Sequence, residues 1–372
     1  MAENGLANGN SAMNDGNEDI MQYLKARSNS IDDTLRRYLS DKASDQFIEK
    51  LLGRALYHYN KEAIQATIID PAWYLLNLGG KRWRPILMLL IIEALGEEPD
   101  NFLEFSIIPE VIHNATLVHD DLEDRSQTRR GSPAVHVKFT EDVAVNLGDA
   151  LQFFPVAALL DSKKLSPETK NTILSIYVRE MFRVTIGQAT DIAWHNFMVP
   201  LEKITEEDYL QMTYDKSGVL ARMACKLGGA LVGADEKTID TLGFFGGTIG
   251  VAFQIQDDIL AITPSKVADS KGGIGDDITE GKITLMVLRT LKKASAEDGK
   301  KLLGILKEHT RDKAKIDEAV SIINRYGAIG YAHDVSKKIV ADAWSKVDGT
   351  LKESEAKRRL KQLADYLITR LN

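Results

Sequence analysis

Cysteine is almost absent from this sequence, and its absence limits the chemistry that the chain can support. The 372 residues include one cysteine, Cys225, so an internal disulfide and a metal site built from several cysteines are both excluded. A single thiol is typical of a reducing compartment, and we expect a cytoplasmic protein. Excess positive charge is also lacking, since the net charge is -7 and the pI is near 5.6, so we expect no nucleic-acid partner.

Long hydrophobic runs are lacking as well. The longest run extends from Ile86 to Ile92, whereas a helix needs about 20 apolar residues to span a bilayer. We therefore expect no membrane span. Residues 1–20 are rich in Asn, Gly and acids, unlike a secretory signal, and are predicted to form a disordered tail.

Strict two-residue alternation of apolar and polar side chains, the pattern of half-buried strands, is scarce. Apolar residues instead recur at three- and four-residue intervals, as in Val111, Ala115, Val118 and Leu122, which is helical spacing. The few prolines mostly fall where segments would end. Since no linker or internal repeat interrupts residues 21–372, we predict an all-α fold in which this range is a single large helical bundle.

Charges of opposite sign, by contrast, are concentrated in a few short stretches. In TLVHDDLEDRSQTRRGSP, residues 116–133, the carboxylates of Asp120, Asp121 and Asp124 share one edge of a helix. A solvated acidic helix end is the simplest interpretation. The apolar lead-in IIPEVIHNATLV, with His113 two turns before Asp120, favours instead carboxylates at the mouth of a buried cavity, where they suit a hard cation such as Mg²⁺.

A second acidic cluster, FQIQDDILAI, repeats the pattern with Gln254, Asp257 and Asp258 after another apolar run. Two such clusters can face one another across a bundle, as they do in carboxylate metal sites. The pair Asp32 and Asp33 in SIDDTL has no apolar helix before it. We interpret that pair as a helix N-cap and use it as an internal control.

Cations lie close to both acidic clusters. LGGKRWRP places Lys81, Arg82 and Arg84 after two glycines and before a helix that Pro85 can start, which suits an anion, although a basic loop is more often only solvated. Other cations near the clusters are Arg129, Arg130, Lys216, Lys271 and Lys282. Acids interleaved with bases fit a pyrophosphate held partly by protein cations and partly by Mg²⁺.

Over residues 40–372 the sequence resembles the trans-isoprenyl diphosphate synthases, also called polyprenyl synthetases. The family's first DDxxD motif matches Asp120, Asp121 and Asp124, and its GGKRxRP motif matches GGKRWRP. The segment IGQATDI resembles the family's GQxxD segment, with Gln188 and Asp191 lining the cavity. This resemblance implies a helical bundle around a deep central cavity, Mg²⁺ as cofactor and a homodimer.

The resemblance also implies roles for the charged residues. It implies that the diphosphate of isopentenyl diphosphate is held by Lys81, Arg84, His113 and Arg130, and the allylic diphosphate by Arg129 and Lys216. Ser217, Gln254, Lys271 and Lys282 are further candidates for substrate binding. The implied metal ligands are Asp120, Asp121, Asp124, Asp257 and Asp258, and the implied catalytic set is Asp120, Asp124, Asp257, Lys216 and Arg129.

Three positions depart from the family pattern. Ala261 stands where the second motif usually has a third acid, so metal binding on that side is expected to be weaker. Ser217 follows Lys216 where threonine is common and keeps a hydroxyl group. Lys271 is shifted by one residue from the usual loop lysine, which makes its role less secure than that of Lys282.

The predicted reaction is Mg-dependent prenyl transfer. Isopentenyl diphosphate attacks the cation left when an allylic diphosphate ionises, which yields a longer all-trans prenyl diphosphate and pyrophosphate. Two alternatives stay open. A class I terpene cyclase would need no second substrate site, and a non-catalytic partner subunit of a heteromeric prenyl synthase is suggested mainly by Ala261.

Product length is predicted from the residues just before the first aspartates. Ala115 and Thr116 are small where aromatic residues in the resembling family stop elongation at farnesyl diphosphate, so we expect geranylgeranyl diphosphate or longer products. Phe153 or Phe154 on the next helix is the predicted cavity floor. Cys225, His119, His136 and His195 are interpreted as packing residues.

Overall fold

The computed structural model describes residues 4–263 and 274–369, which form a bundle of α-helices. The helices are α1 (Asn4–Tyr38), α2 (Asp45–Leu52), α3 (Lys61–Ile64), α4 (Asp70–Asn77), α5 (Trp83–Ala94), α6 (Ile107–Glu123), α7 (Val135–Lys138), α8 (Glu141–Asp161), α9 (Pro167–His195), α10 (Glu206–Thr213), α11 (Val219–Leu231), α12 (Glu236–Ala261), α13 (Asp276–Thr279), α14 (Leu285–Lys293), α15 (Ala296–Lys307), α16 (Lys313–Arg325), α17 (Ala328–Val347) and α18 (Glu355–Thr369). The predicted all-α fold is confirmed.

Short irregular elements connect these helices. Gln65–Ile69 and Tyr214–Gly218 are π-helical turns, and Pro99–Ser106, Leu201–Lys203 and Asp348–Thr350 are 3-10 turns. The strands β1 (Thr128–Arg129) and β2 (Ser132–Pro133) pair antiparallel. Lys271, a predicted substrate-binding residue, lies outside the described residues.

Helix α5 lies at the centre of the larger hydrophobic core. Every residue of this helix except Glu93 is buried, including the run Ile86–Ile92. A helix that is apolar on all sides must be enclosed by other helices, and α11 and α18 pack directly against it. The longest apolar run in the sequence is therefore a core helix.

Helix α8 combines buried and exposed apolar residues. In residues 4–263 and 274–369, it is the one helix that is long and apolar enough to cross a membrane, and 35% of its most apolar window is buried. Core helices pass the same test of length and composition. Leu147 and Leu151 are buried in the core, whereas Val145 and Phe153 are exposed, so α8 contributes one face to the core and leaves another uncovered.

Helix α1 differs from the sequence expectation in two ways. The predicted disordered tail, residues 1–20, overlaps α1, which begins at Asn4, and Ile20 is fully buried. The interpretation of Asp32 and Asp33 as a helix N-cap is wrong, because both residues lie inside α1. Asp32 instead forms an ion pair with Arg82, with an Oδ1–Nε distance of 2.9 Å. Local spacing gave no sign of that partner, because it lies 50 residues further along the chain.

The end of α6 determines where the basic residues that follow it lie. Asp124 is the C-cap of α6, and Arg125 then adopts a left-handed backbone conformation with φ of 55°. The chain enters the β1–β2 ribbon, whose turn contains Gly131 at φ 75°. This sharp reversal brings Arg129 back against the last turn of α6.

Candidate active site

One large cavity of about 750 Å³ opens among α5, α6, α9, α12 and the π-helical turn Tyr214–Gly218. Both acidic clusters and the basic loop contribute to its wall. The predicted site residues that line it are Lys81, Arg84, His113, Thr116, Asp120, Asp124, Arg129, Arg130, Gln188, Asp191, Lys216, Ser217, Gln254, Asp257, Asp258 and Lys282. The fold thus brings together segments that lie up to two hundred residues apart in the sequence.

The first acidic cluster is surrounded by cations. Lys216 Nζ lies 3.1 Å from Asp120 Oδ1, and Lys282 Nζ lies 2.7 Å from Asp124 Oδ2. Burial acts to raise the pKa of Asp120, but Lys216, Lys282 and Arg129 outweigh it and hold that pKa well below its usual range. Asp120 is therefore ionised at neutral pH.

Asp121 has a different role from its two neighbours in the motif. Its side chain is 1% exposed, and Arg129 Nε donates to both carboxylate oxygens, at 2.9 and 3.1 Å. Successive residues on a helix point about 100° apart, so Asp121 cannot face the cavity in the same direction as Asp120. This arrangement differs from the predicted role as a metal ligand, since Asp121 holds Arg129 in place.

Asp191 of α9 joins the cationic side chains to one another. Its Oδ2 accepts hydrogen bonds from Lys216 Nζ at 2.5 Å and Lys282 Nζ at 3.1 Å. Although burial raises the pKa of Asp191, the two ammonium groups hold it well below its usual range. Gln188, one turn earlier, donates to Glu123 Oε2 at 2.5 Å. The IGQATDI segment therefore contacts the first acidic cluster.

In the second acidic cluster, Asp258 has neutral hydrogen-bond donors. Asp258 accepts hydrogen bonds from Tyr209 Oη at 2.7 Å and Gln254 Nε2 at 2.8 Å, while Ser217 Oγ donates to Gln254 Oε1 at 2.9 Å. Burial, helped by the charge of Asp277, raises the pKa of Asp258 to about 7. Its hydrogen bonds hold Asp258 against α10, whereas Asp257 also lines the cavity.

A third set of acids was missed by sequence reasoning. Asp276, Asp277 and Glu280 line the same cavity from α13 and the turn after it. Burial raises the pKa of Glu280 to about 8, although Lys282 acts in the opposite direction. Ala261, where a third acid of the second motif was expected, is buried in the core. The signal in the sequence was GDDITEGK, an acidic run directly before Lys282.

The basic loop contains three cations that line the cavity, one held by ion pairs and two near aromatic rings. Arg82 is buried and bound by Glu110 at 2.6 Å, besides Asp32, so it holds the loop to α6 and α1. Lys81 Nζ donates to Tyr366 Oη at 2.6 Å, and the Arg84 guanidinium lies 4.5 Å from the ring centre of Trp83. These contacts fix both cations at the cavity wall.

His113 lies beside these arginines on α6. Burial, followed by the charges of Arg84 and Arg130, lowers its pKa well below the ordinary value. The ring is therefore neutral at pH 7. Its Nδ1 is buried and has no hydrogen-bond partner within the described parts of the chain. A neutral imidazole next to arginines can donate one hydrogen bond to an anion without adding charge.

The two residues predicted to form the cavity floor are not among the residues that line the main cavity in this structure. Phe153 is 72% exposed, and the ring centre of Phe154 lies 6.4 Å from that of Phe47, beside a separate surface cavity. The α8 residue that lines the main cavity is Gln152. Thr116 also lines it, whereas Ala115 is fully buried in the core. On a helix, neighbouring residues face different sides, and only packing shows which side faces the cavity.

The residues interpreted as packing residues fall into two groups. Cys225 is fully buried, and burial raises the pKa of its thiol. His119 lines the main cavity beside Gln152, with 3.4 Å between its Nδ1 and the amide nitrogen Nε2. His195 Nδ1 lies 4.0 Å from Asp191 Oδ2. Two of the four residues therefore lie at or next to the site.

The donor chemistry of the site fits a hard divalent cation. The acids that line the cavity offer oxygen ligands, the type that Mg²⁺ prefers. Asp124 Oδ1 is buried and has no hydrogen-bond partner in the described ranges. Within residues 4–263 and 274–369, no three His, Cys, Asp or Glu side chains already surround one point. Lysine ammonium groups partner Asp120 and Asp124 in this structure.

Comparison with known proteins identifies relatives along most of the chain. The polyprenyl synthetase family model matches residues 65–323. A short chain isoprenyl diphosphate synthase from Methanothermobacter thermautotrophicus is 34% identical, covering 91% of this chain and 98% of that protein. A geranylgeranyl diphosphate synthase from Saccharolobus solfataricus is 32% identical, covering 82% of this chain and 90% of that protein.

A solved structure agrees with the fold. The geranylgeranyl pyrophosphate synthetase from Pyrococcus horikoshii superposes with a TM-score of 0.78 at 29% identity. The match covers 95% of this chain and 99% of that one. The arrangement of helices is therefore shared along nearly the whole length of both chains.

Proposed function

Because the chain belongs to the polyprenyl synthetase family and is a prenyltransferase, we propose that it condenses isopentenyl diphosphate with an allylic diphosphate. The product is a longer all-trans prenyl diphosphate, and pyrophosphate is released. One observation carries this proposal: two acidic clusters and two sets of cations converge on a single cavity of about 750 Å³. Two diphosphate groups need that amount of opposed charge in one enclosed site.

The proposed metal is Mg²⁺, held by Asp120, Asp124 and Asp257. Supporting observations are the carboxylate oxygens in the cavity wall and the buried Asp124 Oδ1 that lacks a partner among the described residues. When bound, Mg²⁺ supplies positive charge that stabilises the departing diphosphate. Asp258 and Asp121, which are held by protein hydrogen bonds, are assigned to positioning rather than to direct ligation.

The allylic diphosphate is assigned to Arg129, Lys216 and Lys282. These three side chains line the cavity beside Asp120 and Asp124. Positive groups that are fixed before the reaction stabilise the negative charge that develops on the leaving diphosphate. Asp191 and Asp121 hold these cations in position.

Isopentenyl diphosphate is assigned to Lys81, Arg84, His113 and Arg130. They form the other charged side of the cavity, and neutral His113 contributes a hydrogen-bond donor there. The double bond of this substrate attacks the allylic carbon, one carbon–carbon bond forms, and the carbon–oxygen bond to the leaving diphosphate breaks. A proton then leaves the new cation, with pyrophosphate as the proposed acceptor.

Apolar side chains protect the reacting cation from water. The apolar residues Trp83, Leu117, Val184, Leu220 and Phe253 line the same cavity as the charged groups. Water at this position would quench the allylic cation. The small residue Thr116 at the wall supports geranylgeranyl diphosphate or a longer product, and relatives bear the name geranylgeranyl diphosphate synthase.

The proposed assembly is a cytoplasmic homodimer. Helix α9 exposes Val178, Phe182 and Ile186 at four-residue intervals, and α8 exposes Val145 and Phe153. Apolar side chains on adjacent helices form the kind of surface that a second copy can cover. The buried single cysteine is compatible with a reducing compartment.

The deciding experiment uses the purified chain with Mg²⁺, isopentenyl diphosphate and each of several allylic primers, with mass analysis of the products. We expect chain elongation that requires both substrates. Consumption of the allylic diphosphate without isopentenyl diphosphate would favour a terpene cyclase. Lack of turnover by the chain alone would favour a partner subunit. Light scattering of the same sample tests the homodimer.

A further inference from the structure

The π-helical turn Tyr214–Gly218, here called the π-turn, connects α10 to α11 and carries Lys216 and Ser217. Both of these residues line the cavity. Turns of this kind are rare because they interrupt regular α-helical hydrogen bonding, so they need support from neighbouring elements. The contacts around the π-turn therefore bear directly on where Lys216 lies.

On one side, the backbone of α9 touches the π-turn. A Cβ atom added at Gly187 would lie 2.4 Å from Lys216 N and 2.6 Å from Asp215 C. No real side chain fits at such distances. Glycine inside a helix is unfavourable compared with alanine. We therefore attribute the presence of glycine at position 187 of α9 to this close approach of the two backbones. Gly187 also precedes Gln188 and lies one turn before Asp191.

On the opposite side, α12 touches the same turn. A Cβ atom added at Gly218 would lie 2.6 Å from Gly247 O, and one added at Gly250 would lie 2.6 Å from Gly218 Cα. Helix α12 carries the second acidic cluster four residues further on. The π-turn is therefore enclosed between the backbones of the two helices that carry Asp191 and Asp257.

Two hydrogen bonds hold the π-turn to α9 and α10 at the residue before Lys216. Asp215, the residue before it, accepts hydrogen bonds from Arg183 Nη1 of α9 at 2.9 Å and from Gln211 Nε2 of α10 at 2.6 Å. The Asp215 side chain is mostly buried. These bonds join the π-turn to α9 one turn before Gly187.

We propose that Gly187 and the Arg183–Asp215 ion pair are positioning residues for the allylic diphosphate site. They hold the π-turn against α9 at backbone contact, which places Lys216 Nζ 2.5 Å from Asp191 Oδ2 and 3.1 Å from Asp120 Oδ1. A side chain at position 187 would push the π-turn and Lys216 away from both carboxylates. This inference rests on the proposed function for the identity of the substrate that Lys216 contacts.

The test compares Gly187→Ala with Gly228→Ala. Gly228 of α11 is another closely packed helical glycine, where an added Cβ would lie 2.9 Å from Met88 O, but it contacts α5 in the core. For Gly187→Ala we expect the KM of the allylic substrate to rise about tenfold while that of isopentenyl diphosphate changes less than about twofold. For Gly228→Ala we expect a lower Tm with the ratio of the two KM values unchanged.

A second measurement separates this inference from the proposed function. Calorimetric titration with inorganic pyrophosphate and Mg²⁺ needs no turnover, and Gly187→Ala should weaken binding about tenfold relative to Gly228→Ala. If the wild-type chain made no prenyl product, the proposed function would fail, yet this binding comparison would still test the position of Lys216. Equal pyrophosphate affinities in the two variants would overturn the inference.

Asp215→Asn provides the same test with no change in volume. It removes the charge that Arg183 binds, and we expect the same selective rise in the allylic KM. Its matched control is Asp298→Asn, which removes the charge of an ion pair with Arg325 that measures 2.8 Å and lies away from the cavity. If Gly187→Ala does not fold, equal changes in both KM values for Asp215→Asn would overturn the inference.

Discussion

The two acidic clusters are nearly alike in sequence, yet their surroundings differ. The first, at the end of α6, has lysine partners: Lys216 at 3.1 Å from Asp120 and Lys282 at 2.7 Å from Asp124. In the second, at the end of α12, Asp258 has the hydroxyl of Tyr209 and the amide of Gln254 as partners. Both clusters follow an apolar helix and both border the same cavity.

This difference changes the charge that each cluster carries. Cations hold the pKa of Asp120 well below its usual range despite burial, whereas burial and the charge of Asp277 raise the pKa of Asp258 to about 7. The charged neighbours responsible lie in other elements of the fold. Paired aspartates in a sequence therefore do not reveal their ionisation state, which is determined by the residues that the fold places around them.

The largest expected effect is at the first cluster. Asp120→Ala or Asp124→Ala should reduce kcat by about two to four orders of magnitude, at about 1.4 kcal/mol of barrier for each factor of ten. Each change removes a proposed ligand of Mg²⁺ and one of the carboxylates that a lysine binds, which leaves that lysine with Asp191. Steady-state kinetics, with circular dichroism to verify folding, provide the measurement.

The control for this prediction is Asp33→Ala. Asp33 is exposed on α1, and its loss should leave kcat within about twofold. Asp32 is not an equivalent control, because it binds Arg82. Similar, mild losses for Asp33, Asp120 and Asp124 would contradict the assignment of the first cluster to catalysis.

The second cluster should show a smaller and unequal response. Asp257→Ala, which removes the proposed metal ligand on α12, should lower kcat about tenfold to a hundredfold. Asp258→Asn retains an oxygen acceptor for Tyr209, so we expect a loss of about threefold. Measuring kcat at saturating Mg²⁺ checks both values. A loss for Asp258→Asn equal to that of Asp120→Ala would remove the distinction between the clusters.

The parts of the site that could be predicted from sequence are those in which spacing along one helix determines the direction of the side chains. Asp120 and Asp124 are one turn apart, so their common direction follows from helix geometry, and both do line the cavity. Apolar spacing predicted the all-α fold for the same reason. The contact of Asp121 with Arg129 could not be predicted in this way, because it depends on the reversal of the chain at Arg125 and Gly131.

The parts that could not be predicted depend on contacts between distant segments. The orientation of α8 decides that Gln152, and neither Phe153 nor Phe154, lines the cavity. Asp277 lies in the short helix α13 and Glu280 directly after it, and the position of this helix relative to α12 has no periodic signal in the sequence. Asp32 likewise has a partner 50 residues away. Helical periodicity predicts which face of a helix is buried, but it does not predict which other element packs against that face.

The length of the product tests the helix that carries the first cluster, without involving the second. Thr116 lies one turn before Asp120 and lines the cavity, so Thr116→Phe should fill space beneath the reacting groups. We expect products shortened by one isoprene unit, with kcat within about tenfold of the wild type. Mass analysis of the products provides the measurement.

Two matched variants accompany the change at Thr116. Phe154→Ala should leave the product unchanged, because Phe154 borders a different cavity. Ala115→Phe, in the fully buried position, should instead cost about 1–3 kcal/mol of stability by overpacking. An unchanged product spectrum for Thr116→Phe would show that the chain does not grow along α6.

The smallest expected effect concerns the pH dependence of stability at Asp258. Its pKa in the folded protein is raised to about 7, so the folded state retains a proton that the unfolded state has already released. Stability falls with rising pH wherever the folded state binds more protons. The free energy of unfolding of the wild type should therefore decline as pH rises from the ordinary range of an aspartate to about 7.

Asp258→Asn removes this titration, so the variant should gain stability relative to the wild type as pH rises through the same window. Because the charge of Asp277 contributes to the shift at Asp258, we expect a relative gain of only about 1 kcal/mol between pH 5 and pH 8. Urea unfolding of both proteins in the presence of a metal chelator, at the two pH values, gives the measurement. A difference that does not change with pH would mean that Asp258 is already ionised at pH 5. The second cluster would then carry the same charge as the first, and the contrast between them would reduce to the identity of their hydrogen-bond partners.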